Sequence, residues 1–120
     1  MSEKKKAIYW AELNLVGTSI FCECLGKNIR FTHQGCKHAI GAKIKPIKIN
    51  LIYISKELIE KSVLLSSISD KLNRSDIKLV HTLLTNYVIS DKKYKVYVVV
   101  REGINGHVYY DHNAVKVKEI

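Results

Sequence analysis

The sequence is poor in proline, glycine and phenylalanine, with one, six and two of them in 120 residues, and no apolar stretch is long enough to span a membrane. A membrane helix needs roughly 18 or more apolar residues. No apolar core of a signal peptide follows the basic N-terminus, so we expect a cytoplasmic protein without membrane contact. Because low-complexity tracts and internal repeats are also missing, nothing marks a linker, and the sequence predicts one domain over residues 1–120.

Cysteine is also scarce, since the chain holds only Cys22, Cys24 and Cys36. An odd number at these spacings fits neither a disulfide framework nor paired zinc knuckles. We expect reduced thiols, no metal and no other cofactor. A metal site made of Cys36, His33, His38 and a further ligand is the alternative, but its spacing matches no standard zinc module.

Positive charge is abundant, because 20 Lys and Arg face 11 Asp and Glu, which gives a net charge of +9 at pH 7. Such an excess attracts phosphate backbones and anionic surfaces at long range. Lys4, Lys5 and Lys6 fall in a predicted basic tail over residues 1–6, where they serve either as a solvated terminus or as nucleic-acid contacts. We therefore expect a polyanionic partner, with RNA the leading candidate.

The predicted helical half covers residues 7–65. Its first segment, residues 7–21, fits a helix with Trp10, Leu13 and either Leu15 or Val16 on one face, or equally a strand. Residues 27–32 then alternate as a strand, and residues 33–43 have the composition of a turn leading into a short helix that Pro46 ends. A further helix is predicted over residues 55–65.

The second half is predicted to be an antiparallel sheet over residues 77–117, after a loop at 66–75. Residues 77–89, 94–101 and 107–117 are rich in β-branched and aromatic residues. Short connections, including Asn105-Gly106, force these three strands into an antiparallel meander. The fold class is thus α+β, with N-terminal helices packed on a C-terminal antiparallel sheet.

Four segments carry a resemblance to a known family: Asn-Ile-Arg-Phe-Thr-His-Gln-Gly-Cys-Lys-His-Ala at 28–39, a predicted helix reading Ile-Ser-Lys-Glu-Leu-Ile-Glu-Lys-Ser at 54–62, Lys-Val-Tyr-Val-Val-Val-Arg-Glu at 95–102 and Gly-His-Val-Tyr-Tyr-Asp-His at 106–112. Over residues 28–117 the chain resembles phage-associated members of the barnase, EndoU, colicin and RelE-like (BECR) nuclease superfamily. The resemblance implies a barnase-like fold and a toxin-like endoribonuclease that needs no metal. The resemblance implies an RNA substrate, with tRNA as one candidate, that is cleaved by attack of the 2′-hydroxyl on the adjacent phosphate to give a cyclic phosphate.

Such a reaction needs a base, an acid and a group that stabilises the phosphoryl charge. His38, with Lys43, is the first candidate, because the family often places a basic or imidazole residue where helices meet sheet; the alternative is a turn cap. His81 lies in a strand, where a core histidine is as good an explanation as a catalytic one. Arg101 ends a strand and offers a bidentate fork for phosphate, or is a surface arginine.

Residues 109–112 supply the last catalytic candidates, Tyr110 and His112. In a strand these two share one face while Tyr109 and Asp111 share the other, so only one pair can face the cleft. Binding of RNA is assigned to cations and aromatic rings, because single strands are held by both. The predicted RNA-binding residues are His33, Lys37, Lys95 and Tyr97.

Three functions follow from these residues. The first is an endoribonuclease, for which an acidic immunity or antitoxin protein is expected as a partner from charge complementarity. The second is an RNA-binding module without chemistry. The third is a basic protein that binds an acidic protein.

Overall fold

Four α-helices and seven strands are present in the computed structural model, which describes residues 2–37, 44–70 and 75–120. The helices are α1 Glu3–Asn14, α2 His33–Lys37, α3 Pro46–Leu51 and α4 Ser55–Lys61, with 3-10 turns at Ile52–Ile54 and His112–Ala114. The strands are β1 Ser19–Cys22, β2 Lys27–Arg30, β3 Val63–Ser69, β4 Ile77–Ile89, β5 Lys92–Gly103, β6 Val108–Tyr110 and β7 Lys116–Glu119. No helix within these ranges is long and apolar enough to cross a membrane.

Helix α1 begins earlier than expected and leaves Leu13 of its predicted face exposed. The hydroxyl of Ser2 accepts a hydrogen bond from the backbone N–H of Lys5 at 3.2 Å and so caps the helix, which places the lysines of the predicted tail on its first turns. The buried residues are Ala7, Ala11 and Leu15, which are spaced four apart along the chain. Leu13, in contrast, is 67% exposed. Of the predicted helical face, only Leu13 was wrong, because Trp10 and Val16 also pack against the core from partly buried positions.

Two other boundaries in the first half differ from the prediction. Pro46 begins α3 at its first turn instead of ending a helix, since its fixed φ and missing N–H suit that position. The helix predicted at 55–65 stops at Lys61, where Ser62 turns extended, and Val63 starts β3. The apolar run after Ser62 pairs with β4, so the loop predicted at 66–75 is a strand as far as Ser69.

All seven strands form one sheet in the order β1-β2-β6-β5-β4-β3, with β7 also paired to β5. The predicted antiparallel pairing of β4 with β5 is confirmed. The third predicted strand is broken by the 3-10 turn at His112–Ala114 into β6 and β7, both antiparallel to β5. The hairpin of β1 and β2 joins this sheet because β2 runs parallel to β6. The α+β class is confirmed, with N-terminal strands added to the predicted sheet.

The sheet has two unlike faces. Its inner face packs against the helices, and one core cluster holds sheet residues such as Ile29, Leu83 and Val98 together with Ala11 and Ile59 from the helices. Successive strand residues alternate between faces, so the neighbours of these core residues project to the opposite, outer face. That outer face carries the cations and aromatic rings described next.

Candidate nucleic-acid interface

Arg30, Tyr109 and Arg101 form one row across three neighbouring strands on the outer face. Arg30 of β2 pairs with Tyr109 of β6, which pairs in turn with Arg101 of β5. Directly paired residues project to the same side of a sheet. With strands roughly 5 Å apart, the two arginines lie about 10 Å from each other at Cα, one on each side of the tyrosine. We call these three residues the outer row.

Two adjoining cavities run along this row and share Thr32 and Tyr109. One, of about 410 Å³, extends to Arg101 and Asp111. The other, of about 370 Å³, extends to Arg30 and the backbone of the turn that precedes β1. We call the two together the outer cleft. A groove of this size with a cation at each end suits an extended anionic chain better than a small enclosed ligand.

The guanidinium of Arg101 is held in place by Asp111. Its Nη1 donates to Oδ2 of Asp111 at 2.6 Å, and Oδ1 of the same carboxylate accepts from the backbone N–H of Asn113 at 3.0 Å. Within the described chain, Nε of Arg101 is buried and has no hydrogen-bond partner. The ion pair with Asp111 therefore fixes the orientation of the guanidinium, and both residues line the same cavity.

Helix α2 forms one wall of the cleft through close backbone contact with β6. A Cβ atom at Gly35 would lie 2.1 Å from the carbonyl oxygen of Tyr110, so only glycine fits there. The hydroxyl of Thr32 accepts from the N–H of Gly35 at 3.0 Å and fixes the start of the helix. This contact brings Gln34 to the edge of the cavity beside Arg101.

Tyr110 and His112 lie in the core and do not line the cleft with their side chains. The ring of His112 is fully buried; its Nδ1 is 2.6 Å from the hydroxyl of Tyr110 and its Nε2 is 2.7 Å from the carbonyl oxygen of Lys48. Burial lowers the pKa of His112 to about 4 and raises the pKa of the Tyr110 hydroxyl well above its ordinary value. Of the two pairs, Tyr109 and Asp111 are the one that lines the outer cleft, and the catalytic roles given to Tyr110 and His112 stay predictions.

His81 is also buried, on the inner face, where its two nitrogens bond to Ser67 and Glu102. His33 begins α2 and its Nδ1 lies 2.9 Å from a carboxylate oxygen of Glu12, with both side chains about half exposed. His81 is therefore placed away from the outer cleft, and His33 is tied to α1.

The remaining predicted residues fall in three places. Lys37 is exposed at the last position of α2. Lys95 and Tyr97 project from the same face of β5 as Arg101, and with Lys118 they line a separate cavity of about 190 Å³ further along the strand. His38 and Lys43 lie outside the described residues. The catalytic and RNA-binding roles given to all these residues stay predictions.

Two further features bear on metal and thiol chemistry. In the described ranges no three His, Cys, Asp or Glu side chains are grouped so that they could hold a metal ion. Cys36 is buried under α1, and burial raises the pKa of its thiol to about 11. Cys22 and Cys24 are free thiols with their sulfurs 3.5 Å apart.

Sequence reasoning missed Arg30, Thr32 and Gln34 as site residues. Alternation in the segment 27–32 does place Arg30 and Thr32 opposite Ile29 and Phe31, and that burial pattern is confirmed. The parallel pairing of β2 with β6, which brings Arg30 beside Tyr109, leaves no comparable signal in the sequence.

A single sheet with helices on one face and an aligned Arg-Tyr-Arg row on the other defines a small α+β domain with a cationic, aromatic cleft. The chain belongs to the family described as large polyvalent protein-associated domain 3, whose model matches residues 2–110. The match includes the whole outer row and ends at the last residue of β6. It supports the phage-associated part of the resemblance, whereas membership of the BECR nuclease superfamily stays a prediction. No curated protein and no solved structure matches the chain.

Proposed function

We propose that this domain binds single-stranded RNA along the outer cleft, with phosphates at Arg30 and Arg101 and a base stacked on Tyr109. The observation that carries the proposal is the in-register outer row, in which an aromatic ring stands between two arginines. Unpaired bases stack on aromatic faces while cations hold the backbone, and this combination is what single strands require.

The charge distribution supports a chain-like ligand. Beyond the outer row, Lys95 and Lys118 line the cavity beside Tyr97 together with Glu119, and Lys116 is exposed opposite Tyr97 where β7 pairs with β5. A strand that leaves the cleft at Arg101 therefore meets a second cation and aromatic cluster further along β5. With a net charge of +9, the protein also attracts the ligand at long range.

Binding is preferred over cleavage as the proposal because of where the histidines lie. His81 and His112 are buried and hydrogen-bonded at both nitrogens, which makes them poor proton carriers for a substrate in the outer cleft. None of the residues that line the cleft in the described ranges is a histidine. An endoribonuclease with His38 as base and Lys43 beside it is the second candidate, which the resemblance favours.

The test is the affinity of the purified protein for a short oligouridylate, measured by fluorescence anisotropy over roughly 50 to 200 mM salt. Arg30→Gln is expected to weaken binding about tenfold and to reduce the salt slope by about 1. Tyr109→Ala is expected to cost about 1–3 kcal/mol, whereas Tyr109→Phe keeps the stacking surface and most of the affinity. Arg101→Lys retains the charge but loses the fork, so its effect isolates the bidentate contact.

Lys5→Gln is the matched control, because it removes the same charge from the exposed part of α1. If Arg30→Gln and Lys5→Gln weaken binding equally, the attraction is diffuse and the proposed site is wrong. Incubation of the RNA in EDTA, with analysis of end groups, tests the second candidate: cyclic phosphate products that disappear in His38→Ala establish cleavage. Direct binding of polyglutamate without measurable RNA affinity would point to an acidic protein partner.

A further inference from the structure

Ser67, His81 and Glu102 form a connected line of hydrogen bonds across three strands of the inner face. The hydroxyl of Ser67 in β3 is 2.7 Å from Nδ1 of His81 in β4. Nε2 of the same ring is 2.9 Å from Oε1 of Glu102 in β5. This is the order of groups in an activated nucleophile: the imidazole takes the proton of the hydroxyl, and the carboxylate orients the imidazole.

The carboxylate fixes the tautomer of the imidazole. Because an ionised carboxylate only accepts hydrogen bonds, Nε2 of His81 must donate to Glu102, and Nδ1 is left with its lone pair towards the hydroxyl of Ser67. The ammonium of Lys27 lies 3.9 Å from the same oxygen of Glu102 and supports its charge. His81 is thus held ready to accept a proton from Ser67.

The two supporting groups are buried and the hydroxyl is exposed, as a nucleophile that meets a substrate requires. His81 and Glu102 are each 5% exposed, so their hydrogen bonds are shielded from water. Ser67 is exposed, since β3 is the edge strand of the sheet. The outer cleft lies on the opposite face of the sheet. Arg101 pairs with Val80 and with Tyr109 of the outer row, whereas His81 and Glu102 are the next residues along the same strands and project to the other side. The line is therefore a second feature, separate from the proposed RNA site.

We propose that Ser67 is a nucleophilic serine that reacts with activated acyl and phosphonyl compounds, with His81 as its general base and Glu102 as a positioning residue. With an ester, Oγ of Ser67 bonds to the carbonyl carbon as its proton passes to Nδ1 of His81. The bond to the leaving alcohol then breaks, and that alcohol takes the proton from His81. Water attacks the acyl-serine by the same route and releases the carboxylic acid, which restores the hydroxyl.

The test is the rate at which a phosphonyl fluoride modifies the full chain, followed by intact mass and by mapping of the modified peptide. Oγ of Ser67 would displace fluoride, so the protein gains one phosphonyl group and loses one proton. Ser69 is the internal control, because it is exposed on the same face of the same strand and pairs with Leu79 instead of a histidine. We expect Ser67 to be modified roughly 100 times faster than Ser69 or more. Equal rates at the two serines would overturn the proposal.

Variants assign the roles of the other two residues. Ser67→Ala is expected to abolish the adduct and Ser69→Ala to leave it unchanged. Glu102→Gln should slow modification roughly tenfold or more and move the proton of His81 between its nitrogens, which ¹⁵N chemical shifts of the ring report. A slower reaction without a change of tautomer would remove Glu102 from the positioning role. His81→Asn should slow the reaction to the rate at Ser69, and thermal melting verifies that the variant is folded.

Discussion

The buried imidazole of His112 makes a specific prediction about stability in acid. Its Nε2 lies against a carbonyl oxygen, so Nε2 carries the proton, and Nδ1 accepts from the hydroxyl of Tyr110. A second proton on Nδ1 would reverse the direction of that hydrogen bond and place a charge in the core beside Lys48. The pKa of His112 is accordingly lowered, chiefly by burial, from 6.5 to about 4.

The direction of the pH dependence of stability follows from how many protons His112 binds in the folded and in the unfolded protein. Between pH 6.5 and about 4 the unfolded chain carries the extra proton and the folded protein does not, so unfolding is favoured as the pH falls. The contribution of His112 is fully present above pH 6.5 and is lost progressively down to about pH 4. The difference between the two pKa values of His112 corresponds to about 3 kcal/mol in the free energy of unfolding.

The assay is urea denaturation at a series of pH values between 7.5 and 4, with the free energy of unfolding obtained for each. Wild type and His112→Asn are compared, because the difference between them cancels the titration of other groups. The variant is expected to be less stable at neutral pH and to lose about 3 kcal/mol less than wild type on acidification. Tyr110→Phe keeps the buried ring and should keep the wild-type slope. Parallel curves for wild type and His112→Asn would refute the reasoning.

Two further predictions concern the packing of α2. Gly35→Ala should destabilise the protein by about 1–3 kcal/mol, measured by thermal melting, because its Cβ would lie 2.1 Å from the carbonyl oxygen of Tyr110; an unchanged melting temperature would contradict the close contact. Cys36 should resist iodoacetamide at pH 8 in the folded protein and react on unfolding, since burial raises the pKa of its thiol to about 11. Rapid alkylation of native Cys36, mapped by mass spectrometry, would show that α2 opens readily.

Much of the fold could be predicted from local sequence. The hairpin of β4 and β5 follows from β-branched residues around a polar connection, and Ser90 and Asp91 in that turn adopt positive φ angles of 49° and 65°. The burial of Ile29 and Phe31 follows from simple alternation. These features depend on residues close together in the chain, for which pattern and propensity are sufficient.

The rest depended on contacts that sequence patterns do not encode. Val63 to Leu65 continue an apolar run that fits a helix as well as a strand, and pairing with β4 decides between them. Alternation correctly placed Tyr110 with His112 and Tyr109 with Asp111, but it does not say which of the two pairs faces the core, and the buried pair proved to be Tyr110 and His112. In both places the outcome depends on contacts between residues far apart in the sequence.

The parallel pairing of β2 with β6 also determines when the proposed RNA-binding surface comes into existence. Within this domain the hairpin of β1 and β2 is synthesised before β3, β4 and β5, and its partner strand β6 follows only after them. Pairing across so long a separation is slow compared with hairpin formation. Until synthesis has passed Tyr109, the nascent chain carries Arg30 without the ring and the second arginine that would lie beside it. RNA affinity is therefore expected to arise abruptly once β6 has been synthesised and paired, and not to grow with the length of the emerging chain.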